Sequence, residues 1–169
     1  LKHGMIGCTP SVWSSGPDMN TARCMLGAWG TQNSSVAVGA QAADHDQLTE
    51  EYNGLTWANG GDTINARTGP FAFGANQNTG IIATGDTTPV APTAHTDTTE
   101  EYNGTTWSNL SEAADLTDDM NGGGALGTVN AGLIWGSRSG GTYNSRWNDI
   151  KQWNGSTFSE LSTAAGHCI

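Results

Sequence analysis

The sequence predicts an all-β protein built as an array of four-stranded, blade-like units. Three observations lead to this prediction: a nonapeptide that recurs along the chain, glycine-rich apolar segments that recur between its copies, and a composition unlike that of a helical protein. Only 36% of the 169 residues are hydrophobic and 13% are charged, while 24 are glycine. Long helices and coiled coils are instead rich in Ala, Glu, Lys and Leu.

The recurring nonapeptide ends in an aromatic residue. Its first copy, TEEYNGLTW, occupies 49–57, and the second, TEEYNGTTW, occupies 99–107. A divergent copy, KQWNGSTF, covers 151–158, which gives a period of about 50 residues. Asn-Gly between β-forming residues predicts a hairpin whose two central residues both have positive φ. The residues that define the three hairpins are Tyr52, Asn53, Gly54, Trp57, Tyr102, Asn103, Gly104, Trp107, Trp153, Asn154, Gly155 and Phe158.

Two short apolar segments, separated by a polar turn, precede each hairpin. The pairs of segments are 24–30 and 36–39, 69–74 and 81–85, and 122–127 and 133–136. Four short strands per unit at this period are typical of the blades of a β-propeller. We expect the Gly- and Ala-rich inner strands to approach the central axis, and the aromatic side chains of the outer strands to fill the widening space between blades.

The repeats organise the chain as one domain, 1–169, with units at about 13–57, 57–107 and 107–158 and partial units at both ends. Propellers typically contain four to eight blades, so three units do not make a ring. An open array would expose strand edges, which natural proteins cover or pair. We therefore expect either a segment of a longer array or a ring completed by association into a homo-oligomer.

The order of glycine-rich strands, then Tyr, then Trp resembles kelch and galactose-oxidase-type propeller repeats, best at 52–57 and 102–107. The nonapeptide together with an Asn-x-Ala-Arg segment, as at 20–23, also resembles arrays in structural and tail-fibre proteins of bacteriophages. The second resemblance implies a location at a virion or extracellular surface and a role in assembly or adhesion. Neither resemblance by itself defines an activity, because one fold serves many functions.

Charge excludes some partners. The net charge is −10, from 16 acidic and 6 basic residues. Duplex nucleic-acid binding requires a basic surface, which this chain lacks. No apolar run approaches the roughly 20 residues needed to span a bilayer, so we expect neither nucleic-acid binding nor membrane insertion.

The three cysteines are Cys8, Cys24 and Cys168, and their spacing matches no zinc site. One disulfide with one free thiol and three buried thiols are both compatible with the sequence. We favour buried thiols, because free cysteine often behaves as a small hydrophobic residue.

Two histidines, His45 and His95, occupy equivalent places five residues before a glutamate. With Asp44, Asp46 and Asp97 they could form a carboxylate–imidazole metal site. The third unit has no such histidine, which favours solvated loop residues that were duplicated with the repeat.

The acidic residues suggest catalysis or calcium binding only weakly. The pairs at 50–51 and 100–101 alternate in direction along a strand, so neither pair can converge on one bond. We expect them to form a solvated, charged strand edge. The densest acidic cluster, Glu112, Asp115, Asp118 and Asp119, matches no EF-hand spacing and is expected at a short helical turn or exposed loop. We expect no metal and no cofactor.

The tryptophans divide into two groups. Trp57 and Trp107 are equivalent in the repeat and are predicted to pack between blades. Trp29, Trp135 and Trp147 are not repeated, which makes them candidates for ligand binding or an interface, for example by stacking on a sugar ring.

The sequence has no nucleophile elbow, P-loop, dinucleotide fingerprint or zinc-protease motif. We therefore expect a non-enzymatic structural or adhesion module at a virion or extracellular surface. Its expected partners are other structural proteins of the same particle or fibre and further copies of the chain. A propeller that binds surface glycans is the alternative, and a fragment of a propeller enzyme is less favoured.

Overall fold

The structure, a computed structural model, describes residues 15–41, 47–87, 95–111, 114–116, 120–139 and 146–161. Within these ranges the chain forms three antiparallel sheets, and in each of them four successive strands form a meander of hydrogen-bonded neighbours. The predicted all-β architecture of four-stranded, blade-like sheets is confirmed. Short loops between consecutive strands make this simple order the favoured one.

The strands of the first sheet are β1 (Gly27–Thr31), β2 (Ser34–Val38), β3 (Thr49–Tyr52) and β4 (Trp57–Asn59). The strands of the second sheet are β5 (Phe71–Asn76), β6 (Thr79–Ala83), β7 (Thr99–Tyr102) and β8 (Trp107–Asn109). The strands of the third sheet are β9 (Met120–Asn121), β10 (Gly124–Thr128), β11 (Ala131–Ser139), β12 (Arg146–Trp153) and β13 (Phe158–Leu161), with β9 paired to the far end of β11.

The hairpin between the third and fourth strands differs from the predicted two-residue turn. Tyr52 pairs with Trp57, so the loop contains all four intervening residues. The Asn53 Oδ1 accepts hydrogen bonds from the backbone N–H groups of Leu55 and Thr56, both at 2.9 Å. Gly54 has φ +94°, whereas Asn53 lies outside the positive-φ region. The prediction of positive φ at both residues is wrong, because Asn acts here through its side chain.

The same loop recurs in the other two sheets. Asn103 and Asn154 each accept two backbone N–H groups at 2.9–3.0 Å. The glycines that follow them have φ +89° and +95°.

The hydrophobic core lies in the two gaps between successive sheets, where β1 packs against β5 and β5 packs against β10. The cluster in the first gap contains Trp29, Val36, Val38, Ala72, Ile82, Tyr102 and Trp107. The cluster in the second gap contains Phe71, Phe73, Ile81, Ala83, Ala114, Leu116, Ile134 and Trp153. A Cβ at Gly27 would lie 2.7 Å from the Ala72 Cβ, so glycine is required for β1 to approach β5 this closely.

In the segment where the sequence suggested a short helical turn, the described residues 114–116 include a tight turn. The Ala114 N–H donates to the Ser111 carbonyl oxygen at 2.8 Å, and the Leu116 N–H donates to the Asp97 carbonyl at 3.0 Å. These bonds fold Leu116 into the second gap, where it is 2% exposed. In the described part of the chain, no helix has the length and apolar character needed to cross a membrane.

Cys24 is an exposed, free thiol. The prediction of a buried thiol is wrong for this residue, because it lies in the surface segment before β1, with its Sγ 3.9 Å from the Gln41 Oε1. Cys8 and Cys168 lie outside the described residues.

Candidate functional site: the joints between sheets

Each sheet carries a large apolar side chain at the third position of its first long strand. These residues are equivalent because each pairs with an apolar residue of the following strand, in the pairs Trp29–Val36, Phe73–Ile81 and Leu126–Leu133. We call Trp29, Phe73 and Leu126 the knobs. The opposite face of each sheet carries a matching set of residues, which we call the socket.

Trp29 fills the socket of the second sheet. A Cβ at Gly74 or Gly80 would collide with the indole ring, so the ring lies directly on both glycines. The ring centroids of Tyr102 and Trp107 lie 6.4 and 5.9 Å from that of Trp29, in edge-on geometry. Such aromatic pairs add about 0.5–1.5 kcal/mol to the free energy of burial.

The position of Trp29 does not suit the ligand-stacking role suggested by the sequence. Its side chain is 7% exposed, and its Nε1–H donates to the Asn76 carbonyl oxygen at 2.8 Å. Its ring and its polar atom are thus used in the joint between sheets. Sequence comparison missed this equivalence, because the three knobs differ in residue type.

The second joint repeats the first with different residues. Phe73 is 1% exposed, and a Cβ at Gly132 would lie 2.6 Å from its ring. Its ring centroid lies 6.5 Å from that of Phe158, and Trp153 belongs to the same buried cluster. The socket of the third sheet is therefore Gly127, Gly132, Trp153 and Phe158, at the places that Gly74, Gly80, Tyr102 and Trp107 occupy in the second sheet.

A buried ion pair attaches the segment before β5 to β7 in the outer half of the second sheet. The Arg67 Nη2 lies 2.6 Å from the Glu100 Oε1, and both side chains are fully buried. The same carboxylate accepts the backbone N–H groups of Ile64 and Asn65 at 2.8 and 3.1 Å. The Arg67 Nη1 donates to the Thr84 and Thr98 carbonyls at 2.8 Å.

The first sheet contains the equivalent pair. Arg23 Nη2 lies 3.4 Å from Glu50 Oε1, again with both side chains fully buried. The Glu50 carboxylate accepts the backbone N–H groups of Asn20 and Thr21 at 2.7 and 3.2 Å. Burial lowers the pKa of both arginines, and the adjacent carboxylates oppose this shift.

The predicted solvated, charged strand edge is therefore wrong for Glu50 and Glu100. A charge is buried only where a partner and hydrogen bonds compensate its lost hydration, and the Asn-x-Ala-Arg type of segment supplies both. The sequence held a signal for this pairing. The third unit has Met120 at the position of the arginine and Lys151 at the position of the glutamate, so the two partners change together.

The second glutamate of the nonapeptide ties the first sheet to the second. Glu51 Oε1 accepts the Tyr102 hydroxyl at 2.5 Å. Burial, and then this hydrogen bond, raise the pKa of Tyr102 above its usual value. The Trp107 Nε1–H donates to the Thr49 Oγ1 and the Gly61 carbonyl, both at 3.0 Å. Polar contacts thus reinforce the apolar joint at its outer end.

Of the residues that could form a histidine–carboxylate metal site, the alternative that the sequence left less favoured, His95 and Asp97 are described. His95 Nδ1 lies 2.6 Å from the Asp86 Oδ1, and Asp97 is exposed. Across the described ranges, no three or more His, Cys, Asp or Glu side chains are grouped so that they could hold a metal ion. His45, Asp44 and Asp46 lie outside the described residues.

Of the acidic cluster, only Asp115 is described. Its Oδ1 accepts the Thr99 backbone N–H at 2.9 Å, which anchors the turn that follows the second sheet. Glu112, Asp118 and Asp119 lie outside the described residues.

The third sheet bears an exposed apolar row. Gly124, Trp135, Ile150 and Leu161 are aligned across its four long strands. Trp135, Ile150 and Leu161 are 37–39% exposed, on the face turned away from the second sheet. Trp147 lies in β12, and its side chain is outside the part of the chain that the structure describes.

The fold is similar to that of YjhT, whose solved structure superposes with a TM-score of 0.67 at 13% sequence identity. The match covers 88% of this chain and 47% of that chain, so this chain spans about half the length of that structure. No protein-family model matches the chain, and no curated protein is significantly similar to it. At this identity the likeness defines the class of fold, an all-β protein of propeller-like sheets, and nothing further.

Proposed function

We propose that the chain is a non-enzymatic structural or adhesion module of a virion or extracellular surface, built from kelch-like propeller repeats and acting in assembly or attachment. The observation that carries this proposal is the use of the repeated carboxylates. Glu50 and Glu100 are enclosed by arginine and backbone N–H groups, and Glu51 holds the Tyr102 hydroxyl. Groups used in this way maintain a scaffold, and Glu50 and Glu100 are buried away from solvent.

The hairpin loops suit a role in display. Each loop satisfies its own backbone through an asparagine, as Asn53 does, so its third position can vary without loss of the turn. Leu55, at one such position, is 79% exposed. The excess of acidic residues favours solubility and discourages contact with polyanions.

Particle proteomics tests this proposal. Virus-like particles from the source material are purified by density gradient, and peptides of this chain are quantified in the particle and soluble fractions by mass spectrometry. We expect enrichment with the structural proteins of the particle. Confinement of the peptides to the soluble lysate, or hydrolysis of a substrate by the purified chain, would contradict the proposal.

Carbohydrate binding is the second candidate, and the exposed ring of Trp135 is the observation that favours it. An aromatic face at a surface stacks readily on a pyranose ring. On a glycan array, binding that Trp135→Ala abolishes and Leu55→Ala preserves would support this function. Leu55 serves as the control because it is an exposed apolar residue on the hairpin of a different sheet.

A further inference from the structure

Among the described residues, one knob has no socket and one socket has no knob. The two joints within the chain use the knobs Trp29 and Phe73 and the sockets of the second and third sheets. The unpaired knob is Leu126. The unpaired socket belongs to the first sheet and consists of Gly30, Ser35, Tyr52 and Trp57, at the places of Gly74, Gly80, Tyr102 and Trp107.

Exposure distinguishes the paired members from the unpaired ones. Trp29 and Phe73 are 7% and 1% exposed, whereas Leu126 is 54% exposed. Tyr102 is fully buried, whereas the equivalent Tyr52 is only partly buried. The unpaired knob and socket thus lie open at opposite ends of the array of described residues.

The unpaired knob and socket match each other in size. The two larger knobs, Trp29 and Phe73, each lie on a glycine, Gly80 and Gly132, at the centre of their sockets. The first sheet has Ser35 at this place, aligned with Tyr52 as Gly80 is with Tyr102. A socket that contains a Cβ and a hydroxyl has less room, and the remaining knob, leucine, is the smallest of the three. Close packing makes such paired changes in volume favourable.

The described side chains that share this face with Leu126 carry no charge. The described members of the face are Leu126, Leu133, Trp135, Ile150, Gln152, Ser159 and Leu161. An apolar surface without charges is typical of the central part of a protein interface.

We propose that a second copy of this chain docks its first sheet on this surface, with Leu126 of one copy in the Ser35–Tyr52–Trp57 socket of the other. This inference rests on the assembly role proposed above and names its partner. The contact is heterologous, because it joins different surfaces of the two copies. Two such contacts form a closed ring when the rotation between successive sheets brings the second knob to the second socket. The described parts of two copies together supply six sheets, which lies within the four to eight of known propellers.

Native mass spectrometry of the purified chain tests the proposal. We expect a dimer for the unmodified chain and monomers for Leu126→Asp and for Ser35→Trp, which spoil the knob and the socket respectively. Ile64→Asp is the matched control, because it places the same charge at an exposed aliphatic residue in the segment between the first and second sheets, on neither surface, and it should remain dimeric. Circular dichroism establishes that each variant is folded.

A mixture of the two variants gives the sharper result. Leu126→Asp retains an intact socket and Ser35→Trp retains an intact knob, so an equimolar mixture should form a heterodimer with one of the two contacts restored. A contact between two Leu126 surfaces would not be restored by mixing, and that outcome would overturn the proposed pairing.

A monomeric unmodified chain would also overturn the inference, and it would mean that another protein or other residues of the chain cover Leu126. The proteomic result on particles is independent of this measurement, so failure of the dimer and failure of the structural role are distinguishable.

Discussion

Arg67 and Glu100 are buried together, and each would be destabilising alone. Burying one ion without a partner costs several kcal/mol, whereas a matched pair with further hydrogen bonds compensates most of this loss. Here two backbone N–H groups and two carbonyl oxygens complete the arrangement. The pair thereby fixes the segment before β5 against β7.

We expect Arg67→Met to lower the free energy of unfolding by about 3–5 kcal/mol, because it leaves the Glu100 carboxylate buried and unpaired. The double variant Arg67→Met/Glu100→Gln should recover part of this loss, since Gln carries no charge and keeps one of the two acceptor oxygens that receive the Ile64 and Asn65 N–H groups. Urea unfolding followed by circular dichroism measures both. A double variant less stable than the single one would show that the ion pair is not the source of the effect.

Tyr102 gives the stability of the protein a dependence on alkaline pH. The raised pKa of Tyr102 means that the unfolded chain, with a tyrosine pKa of ~10, loses its proton first. The contribution of Tyr102 to the free energy of unfolding is therefore fully present below pH ~10 and is lost as pH rises above it.

We expect Tyr102→Phe to flatten this alkaline decline in thermal melts. Glu101→Gln serves as the control, since Glu101 is equivalent to Glu51 but the third sheet has Trp153, which lacks a hydroxyl, in place of the tyrosine. An alkaline decline that is equally steep in Tyr102→Phe and in the unmodified chain would assign it to other groups.

At the scale of the strand and the sheet, an aromatic residue stabilises the fold most where it is buried between two neighbouring sheets. Trp107 is 7% exposed between the first and second sheets, and its Nε1–H has two acceptors. Trp57 has the same place in the repeat but only partial burial, because no described sheet precedes the first one.

Trp107→Ala should therefore cost about 3–5 kcal/mol of stability, as large truncations in cores do, and Trp57→Ala should cost clearly less in the isolated monomer. Chemical denaturation at low protein concentration compares the two. Equal losses would mean that both tryptophans stabilise their own hairpins and not the joints.

For the whole molecule, the period of the sequence was enough to predict the class of fold. Strands, hairpins and their order follow from local patterns such as those around Tyr52 and Tyr102. The joints could not be predicted in this way, because Trp29, Phe73 and Leu126 differ in type and their equivalence appears only with the strand register. The burial of Glu50 likewise depends on a segment about 30 residues away, which a strand-edge argument does not consider.

The assembly of the whole molecule should appear in its melting behaviour. Because a folded dimer is stabilised by mass action, the Tm of the unmodified chain should rise with protein concentration. The Tm of Leu126→Asp should not. A Tm of the unmodified chain that is independent of concentration would argue against a dimer that forms on folding.

The graded size of the knobs has a consequence for folding. Near-identical repeats on one chain are prone to join in the wrong order, which leads to misassembly and domain swapping. Tryptophan fits against Gly80 but would not fit over Ser35, and leucine would leave a void over Gly80. With Leu126 docked as proposed, the three knobs differ enough in size for each sheet to favour one neighbour, so that a repetitive sequence favours a single order of sheets.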